Sequence, residues 1–426
     1  MIRIHILLAA LVLTLAAPPL SGQQPPSVSL EDALLRFAER NLELRLSRSL
    51  ADQAAGLASQ AEAFPNPSLN ATHEPLSGDA GSYSETYLTA SQRFEISGAR
   101  SARSEAGERR SQAAAHQLRA DSLRLAFDVK RAYVQALLAQ ERHTVTERIV
   151  EIFREAARSA TERYESGDVS RYALQRIRVE RARYETLLAD ADLGIGSAQR
   201  TLALLIAPAE GPARLAAAPL PTQTPTEVPE GTLNLTAVEG RAELAAARAA
   251  VDAEVAQARL TRAERIPDVT ATAGFKRQSD GRRGAFLGLS LPVPLFDRGT
   301  GAVEAATAGL RAAEERLVLT RRQLENDVLR AIESYETFQR RSQLLSEDDM
   351  GDPDDLLDMA LVAYAEGEME LVELLDAADA LHEARTAELS LRAAFWTAYF
   401  DLERALGGFA VTPSQEGVQL TRCTLS

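Results

Sequence analysis

Residues 164–167 read Tyr164-Glu165-Ser166-Gly167, and 200 positions later residues 364–367 read Tyr364-Ala365-Glu366-Gly367. The correspondence runs on without a gap through Leu174 and Leu374, Leu202 and Leu402, to Ala207 and Gly407. A chain that repeats one unit is read per copy, and two copies usually close on each other pseudo-symmetrically. Its 426 residues would otherwise allow two or three unrelated domains. The duplication predicts one body made of two fused halves, with the copies at 23–207 and 232–408.

Between them, residues 208–231 carry six prolines and read as a surface linker. Residues 409–426 form a C-terminal tail. At the other end, Arg3 precedes an apolar run over 6–17 that is too short to span a bilayer and suits a secretory signal. A signal peptide is therefore expected over 1–22. Leu20-Ser21-Gly22 looks like the start of a lipoprotein signal, but Gln23 stands where the acylated cysteine should be, so no N-terminal lipid anchor is expected. The single cysteine, Cys423, precludes an intrachain disulfide framework. No later apolar run reaches the roughly 18 residues of a spanning helix. A membrane-inserted form of this chain would have to enter by strands.

Each half follows one plan: helix, two strands, very long helix, turn, second long helix. A helix is expected over 30–63, with Ser29 as N-cap and Phe64-Pro65-Asn66-Pro67 as its stop. The second copy offers 244–265, stopped by Ile266-Pro267. Strands are expected over 68–74 and 83–94, around the turn-rich 75–81, and then over 269–276 and 285–293. In the second pair Val269, Ala271, Ala273 and Phe275 alternate with more polar residues, and Leu287, Leu289, Leu291 and Val293 do the same. Lengths near ten residues suit tilted strands of a transmembrane barrel, which need about 9–11. The same pattern fits soluble hairpins packed on helices.

Phe127, Val134, Leu138, Val145, Ile149 and Ile152 recur at steps of seven, four and three, as do Leu310, Leu317, Leu324, Val328 and Ile332 at steps of seven and four. That spacing makes a narrow seam for helix-on-helix packing. From Gly98 to Gly167 and from Gly299 to Gly367 each copy has about 68 residues, on the order of 100 Å if continuous helix. The acidic stretch 347–358, with Gly351 and Pro353, is expected to interrupt or kink the second of these. Charged residues at 25% and aromatics at 5% fit long helices rather than a thick globular core. A net charge of −14 argues against a nucleic-acid partner. His73, His116, His143 and His382 are scattered without metal-ligand spacing, and Gly194-Ile195-Gly196 lies in a helical pattern rather than a phosphate loop. Neither an enzyme nor a bound cofactor or metal is expected.

Taken together, the signal, duplication, paired hairpins and long helices resemble the TolC-like outer-membrane efflux family over about 30–408. The residues carrying the resemblance are Leu291-Pro292-Val293-Pro294-Leu295-Phe296-Asp297-Arg298-Gly299, its counterpart Ser91-Gln92-Arg93-Phe94-Glu95-Ile96-Ser97-Gly98, and the two Tyr-x-x-Gly turns. Asn66-Pro67 and the corner over 94–100 look most like the branch serving heavy-metal and cation exporters. The resemblance implies a mainly helical fold with a small β part. A homotrimer would form a long α-helical barrel, and four strands per subunit would build a twelve-stranded transmembrane β-barrel in the outer membrane. It implies an outer-membrane channel of a tripartite efflux or type I secretion system. The partners would be outer-membrane lipid, a periplasmic adaptor and, through it, an inner-membrane pump of RND or ABC type.

The resemblance also places candidate site residues. Gly167 and Gly367 would mark the periplasmic tip that meets the adaptor. Glu373 and Asp376, three apart and so on one helix face, align with the acidic entrance constriction, and Tyr364 with a tyrosine that holds the entrance closed. Met369 stands where a basic gate residue is expected and Ala173 where the first copy would carry an acid, so the latch must be weaker or differently built. The competing readings are a periplasmic coiled-coil adaptor and a structural protein without channel activity. An adaptor, though, needs many more short strands than the four found here.

Overall fold

The computed structural model describes residues 28–78, 81–206, 220–221, 235–344, 353–407, 410–411 and 420–421. The expected signal peptide, most of the linker, Gly351 and most of the C-terminal tail with Cys423 lie outside the described residues. In chain order the elements are α1 (Leu30–Arg40), α2 (Leu42–Glu62), β1 (Ser68–Gly78), β2 (Gly81–Phe94), α3 (Ala99–Glu165) and α4 (Arg171–Ile206). A short 3-10 turn (Leu235–Gly240) precedes α5 (Ala242–Ala263), β3 (Val269–Gln278), β4 (Arg283–Ser290), α6 (Thr300–Leu344), α7 (Pro353–Glu366) and α8 (Leu371–Ala405). The two-residue strands β5 (Ala410–Val411) and β6 (Leu420–Thr421) pair near the end.

The helix expected over 30–63 is two helices. Ser29 caps the first through its hydroxyl, with Asp32 returning the bond in a capping box. Asn41 breaks the run: extended at ψ 127, its Oδ1 accepts from Leu44 N at 2.7 Å and caps α2. Its Nδ2 donates to the Leu205 carbonyl at 2.8 Å in the last turn of α4. Both demands on one buried side chain pin this corner, which apolar periodicity alone does not reveal.

Arg241, also an N-cap position and also buried, makes the corresponding tie in the second half, without a side-chain cap. Its guanidinium donates to the Ala405 carbonyl at 3.2 Å in the last turn of α8 and pairs with Glu243. Asn41 and Arg241 are 200 positions apart, as are Leu205 and Ala405.

One antiparallel sheet has the order β1-β2-β3-β4, so the hairpins of the two halves meet along β2 and β3, leaving β1 and β4 as open edges. β1 and β2 run further toward their turn than the sequence predicts, pairing as far as Gly78 and Gly81. The strand expected over 285–293 instead ends at Ser290 and leaves Leu291 and Val293 outside the ladder, ahead of Pro292 and Pro294. Gly274 lets β2 approach: a Cβ there would lie 2.4 Å from the Leu88 carbonyl oxygen.

α3 is unbroken over 67 residues, about 100 Å at 1.5 Å per residue. Its counterpart is α6 followed by α7, which starts at Pro353, where proline's missing N–H is tolerated. α2, α4, α5 and α8 pack along α3, and α6 packs on α5 and α8. Gly107 of α3 admits α2: a Cβ there would stand 2.9 Å from the Ala61 Cβ.

The core is a series of layers along α3. Around its middle, Phe127, Val134 and Leu138 join Tyr335, Phe395, Tyr399 and Phe400. Further on, Ile149, Ile152 and Phe153 meet Tyr184, Leu357 and Leu375. The last layer holds Ala156, Ala157 and Ala160 with Leu174, Tyr364 and Leu374. The side chains of α3 shrink toward this end, and small side chains allow helices to approach closely.

Candidate functional site

Two regions carry function-bearing groups: the sheet, and the end where α3 turns into α4 and α7 into α8. In the sheet, the register puts Leu69, Ala71, Leu88, Ala90, Ala271, Ala273, Phe275, Ala285, Leu287 and Leu289 on one face. This apolar face is bare. Leu69 is 78% exposed and Leu287 and Leu289 are both 81% exposed, and no described helix packs across it.

The other face is polar and partly sheltered, with Thr72, Glu74, Tyr83, Glu85, Tyr87, Ser91, Thr272, Lys276 and Gln278. Glu85 lies at the centre of its bonding network. One Glu85 oxygen accepts from Tyr83 Oη and Gln278 Nε2, both at 2.9 Å. The second is paired with Lys276 Nζ at 2.7 Å and accepts from Tyr87. A water-soluble sheet hides its apolar face and wets its polar one. Here the faces are reversed, as in a strand set that meets lipid outside and water inside. Hairpins packed on helices would not leave these leucines uncovered.

At the far end, the two Tyr-x-x-Gly blocks make the same loop. Gly167 and Gly367 have φ of 87° and 81°, a left-handed conformation that favours glycine. Their N–H groups donate to the Tyr164 and Tyr364 carbonyls at 3.1 and 3.2 Å. Asp168 N and Glu368 N reach back to the Arg163 and Ala363 carbonyls at 2.7 and 2.9 Å, completing a Schellman closure in each.

Tyr364 is buried in the last core layer, and its hydroxyl has no hydrogen-bond partner among the described residues. Burial pushes its pKa up, against the pull of Arg163. Arg163 comes from the first turn to serve the second. It donates to the Tyr364 carbonyl at 2.9 Å and lies over the Tyr364 ring, 5.5 Å from its centroid. Met369, where a basic residue was expected, packs against the same apolar layer. The cation at this turn is thus Arg163, which precedes the first Tyr-x-x-Gly turn and carries no sequence signal for the role.

Glu373 and Asp376 sit in the first turns of α8 on its exposed side, while Leu374, Leu375 and Ala378 face the core. The Glu373 carboxylate accepts from Glu370 N at 2.9 Å, bridging back to the start of the helix. Tyr364 and the two acids are therefore close along the chain but face opposite ways, one inward and two outward.

Asp379 extends the acidic row by one turn and ties α8 to α4: it accepts from the buried Tyr184 hydroxyl and pairs with Arg183 at 3.5 Å. The three-residue step from Asp376 could have revealed it. Burial and this hydrogen bond push the Tyr184 pKa up. His382 lies edge-on to Tyr184 with ring centroids 5.5 Å apart, and burial pushes its pKa down against the opposing pull of Asp379. No group of three or more His, Cys, Asp or Glu among the described residues is placed to hold a metal ion. No described helix is long and apolar enough to cross a membrane.

The outer membrane efflux protein family model matches the chain twice, over residues 34–207 and 235–408, and the chain belongs to that family. It is 27% identical over 383 residues to the cobalt-zinc-cadmium resistance protein CzcC of Cupriavidus metallidurans, covering 89% of this chain and 90% of that one. It is 28% identical over 314 residues to the nickel-cobalt-cadmium resistance protein NccC of Alcaligenes xylosoxydans xylosoxydans, covering 72% and 70%. Among solved structures, CusC superposes with a TM-score of 0.72 at 19% identity, covering 89% of this chain and 92% of that one. The outer membrane protein VceC of Vibrio cholerae superposes with a TM-score of 0.71 at 21% identity, covering 89% and 96%. The fold is therefore TolC-like, and the chain is a component of an efflux channel.

Proposed function

We propose that three copies of this chain join their sheets edge to edge into a twelve-stranded barrel in the outer membrane, continued by a periplasmic tube of α-helices. The observation that carries this reading is the reversed sheet: four strands with a bare apolar face, an internally bonded polar face and two unpaired edges. In lipid each unpaired backbone group costs several kcal/mol, so four strands must borrow neighbours to close. The correspondence of Asn41–Leu205 with Arg241–Ala405, and of the two Schellman turns, supports reading the halves as repeats of one unit.

The tip turns around Gly167 and Gly367 face away from the sheet and meet a periplasmic adaptor, which couples the tube to an inner-membrane pump of RND or ABC type. Divalent metal cations are the substrate class that fits best. The relatives are named for resistance to cobalt, zinc, cadmium and nickel, and threefold symmetry would turn Glu373 and Asp376 into two stacked carboxylate rings at the entrance, which attract cations. Tyr364, held by Arg163 and buried, braces the turn that presents those acids.

The test is single-channel recording of the mature protein and of Glu373→Ala/Asp376→Ala in planar bilayers. The wild type conducts and prefers cations, and block by multivalent cations weakens in the double variant. Unchanged selectivity and block would remove both acids from the constriction, and absence of any conductance would sink the channel itself.

A further inference from the structure

Above the apolar band of the sheet, the next row on the same face is His73, Thr86, Arg277 and Arg283, in register across all four strands. Arg277 and Arg283 are direct cross-strand partners, and both are exposed. Side chains so placed have Cβ atoms about 4.5–5.5 Å apart, and like charges there repel. Neither arginine forms an ion pair or side-chain hydrogen bond with any described residue. Arg282, one residue away in the turn, does have a carboxylate, Asp280 at 3.5 Å. His73 is occupied by the Thr86 hydroxyl at 2.9 Å. The strand carboxylates Glu74 and Glu85 stand opposite each other in register on the other face of the sheet. In a chain of net charge −14, this outward row holds two cations and no acid.

The row lies one pleat, about 6.8 Å along the strand, beyond Ala71, Leu88, Phe275 and Ala285. Resting on the barrel reading above, that is the lipid boundary at the end of the sheet remote from the helices, the outer leaflet. We propose that Arg277 and Arg283 form a headgroup site for a phosphate-bearing anionic lipid of that leaflet. Two guanidinium forks side by side match a phosphate, whose oxygens accept from both in charge-assisted pairs. The shared anion also removes the repulsion across the β3–β4 ladder.

The mature trimer in detergent, titrated with bis-phosphorylated lipid A, tests this by the temperature at which the trimer dissociates. The wild type is protected, and Arg277→Gln/Arg283→Gln needs about tenfold more lipid or greater for equal protection, as for loss of charged hydrogen bonds. Dephosphorylated lipid A protects neither protein. Equal protection of both proteins by the phosphorylated lipid overturns the site, leaving arginines that merely reach water. Equal protection of the wild type by inorganic phosphate overturns the lipid assignment. Bilayer conductance separates the two levels: a wild type without conductance sinks the barrel, whereas full conductance in both proteins with identical lipid response sinks the headgroup site alone.

Discussion

At the first tip turn Tyr164 is 41% exposed, and at the second Tyr364 is 2% exposed, although both occupy the same place in the same hydrogen-bonded loop. Their surroundings differ in charge as well. Residues 153–184 hold eight arginines against five acids, whereas residues 353–384 hold ten acids and no lysine or arginine. The backbone is common because each turn is closed locally by a left-handed glycine and bonds within six residues. The side chains diverge because the second turn packs inward and borrows Arg163 from the first, while no described residue makes the reciprocal reach. Arg148–Asp358 and Arg183–Asp379 carry the same polarity across the contact, with the basic partner always from the first hairpin. The same backbone loop thus sits in a basic hairpin and in an acidic one that hold each other, leaving Glu373 and Asp376 outside the pairing.

The largest break in this comparison should come from paired truncations. Tyr364→Ala empties a buried site and is expected to cost about 3 kcal/mol, whereas Tyr164→Ala should stay within about 0.5 kcal/mol. Thermal unfolding of both variants decides it, and equal losses would mean the turns are equivalent after all. Next in size is Arg163→Ala, which deletes a carbonyl bond and a ring contact together worth about 1–2 kcal/mol. Because the contact is one-way, limited proteolysis should show the loosening at the second turn and not the first.

His382 sharpens the comparison through pH. It faces Tyr184 and Arg183 of α4 and lies beside Asp379 and Glu383 of its own helix. Its folded pKa is held below the ordinary 6.5, so the unfolded chain takes up the proton first as pH falls. The contribution is complete above pH 6.5 and fades as pH drops through the lowered folded value. His382→Phe should therefore flatten the acid side of the stability profile, and an unchanged profile would exonerate the histidine. The smallest effect belongs to Tyr364→Phe. Its hydroxyl has no partner among the described residues, so removal should be neutral or stabilise by up to about 1 kcal/mol. A clear loss in the trimer would instead show that a neighbouring chain supplies the partner.

Much of this was legible in advance. The helical seam of Phe127, Val134 and Leu138, the strand alternation of β3 and β4, and the glycines closing both turns follow from period and local conformation. Asn41 escaped because a helix-breaking side chain inside an apolar-periodic run looks like any exposed polar residue. Arg163 escaped because its partner lies 201 positions away and no pattern links them. Tyr364 was singled out beside Glu373 and Asp376, yet its side chain faces inward while theirs face out.

By itself the sequence determined the element types and the two turns, because these depend on interactions within a few residues. Only the tertiary structure decided that β2 and β3 pair to merge two hairpins into one sheet, and that the exposed face of this sheet is the apolar one. It alone assigned the cation at the second turn to Arg163, which stands beside the first. Those outcomes depend on which distant surfaces meet, and a linear pattern specifies a face without naming what will cover it.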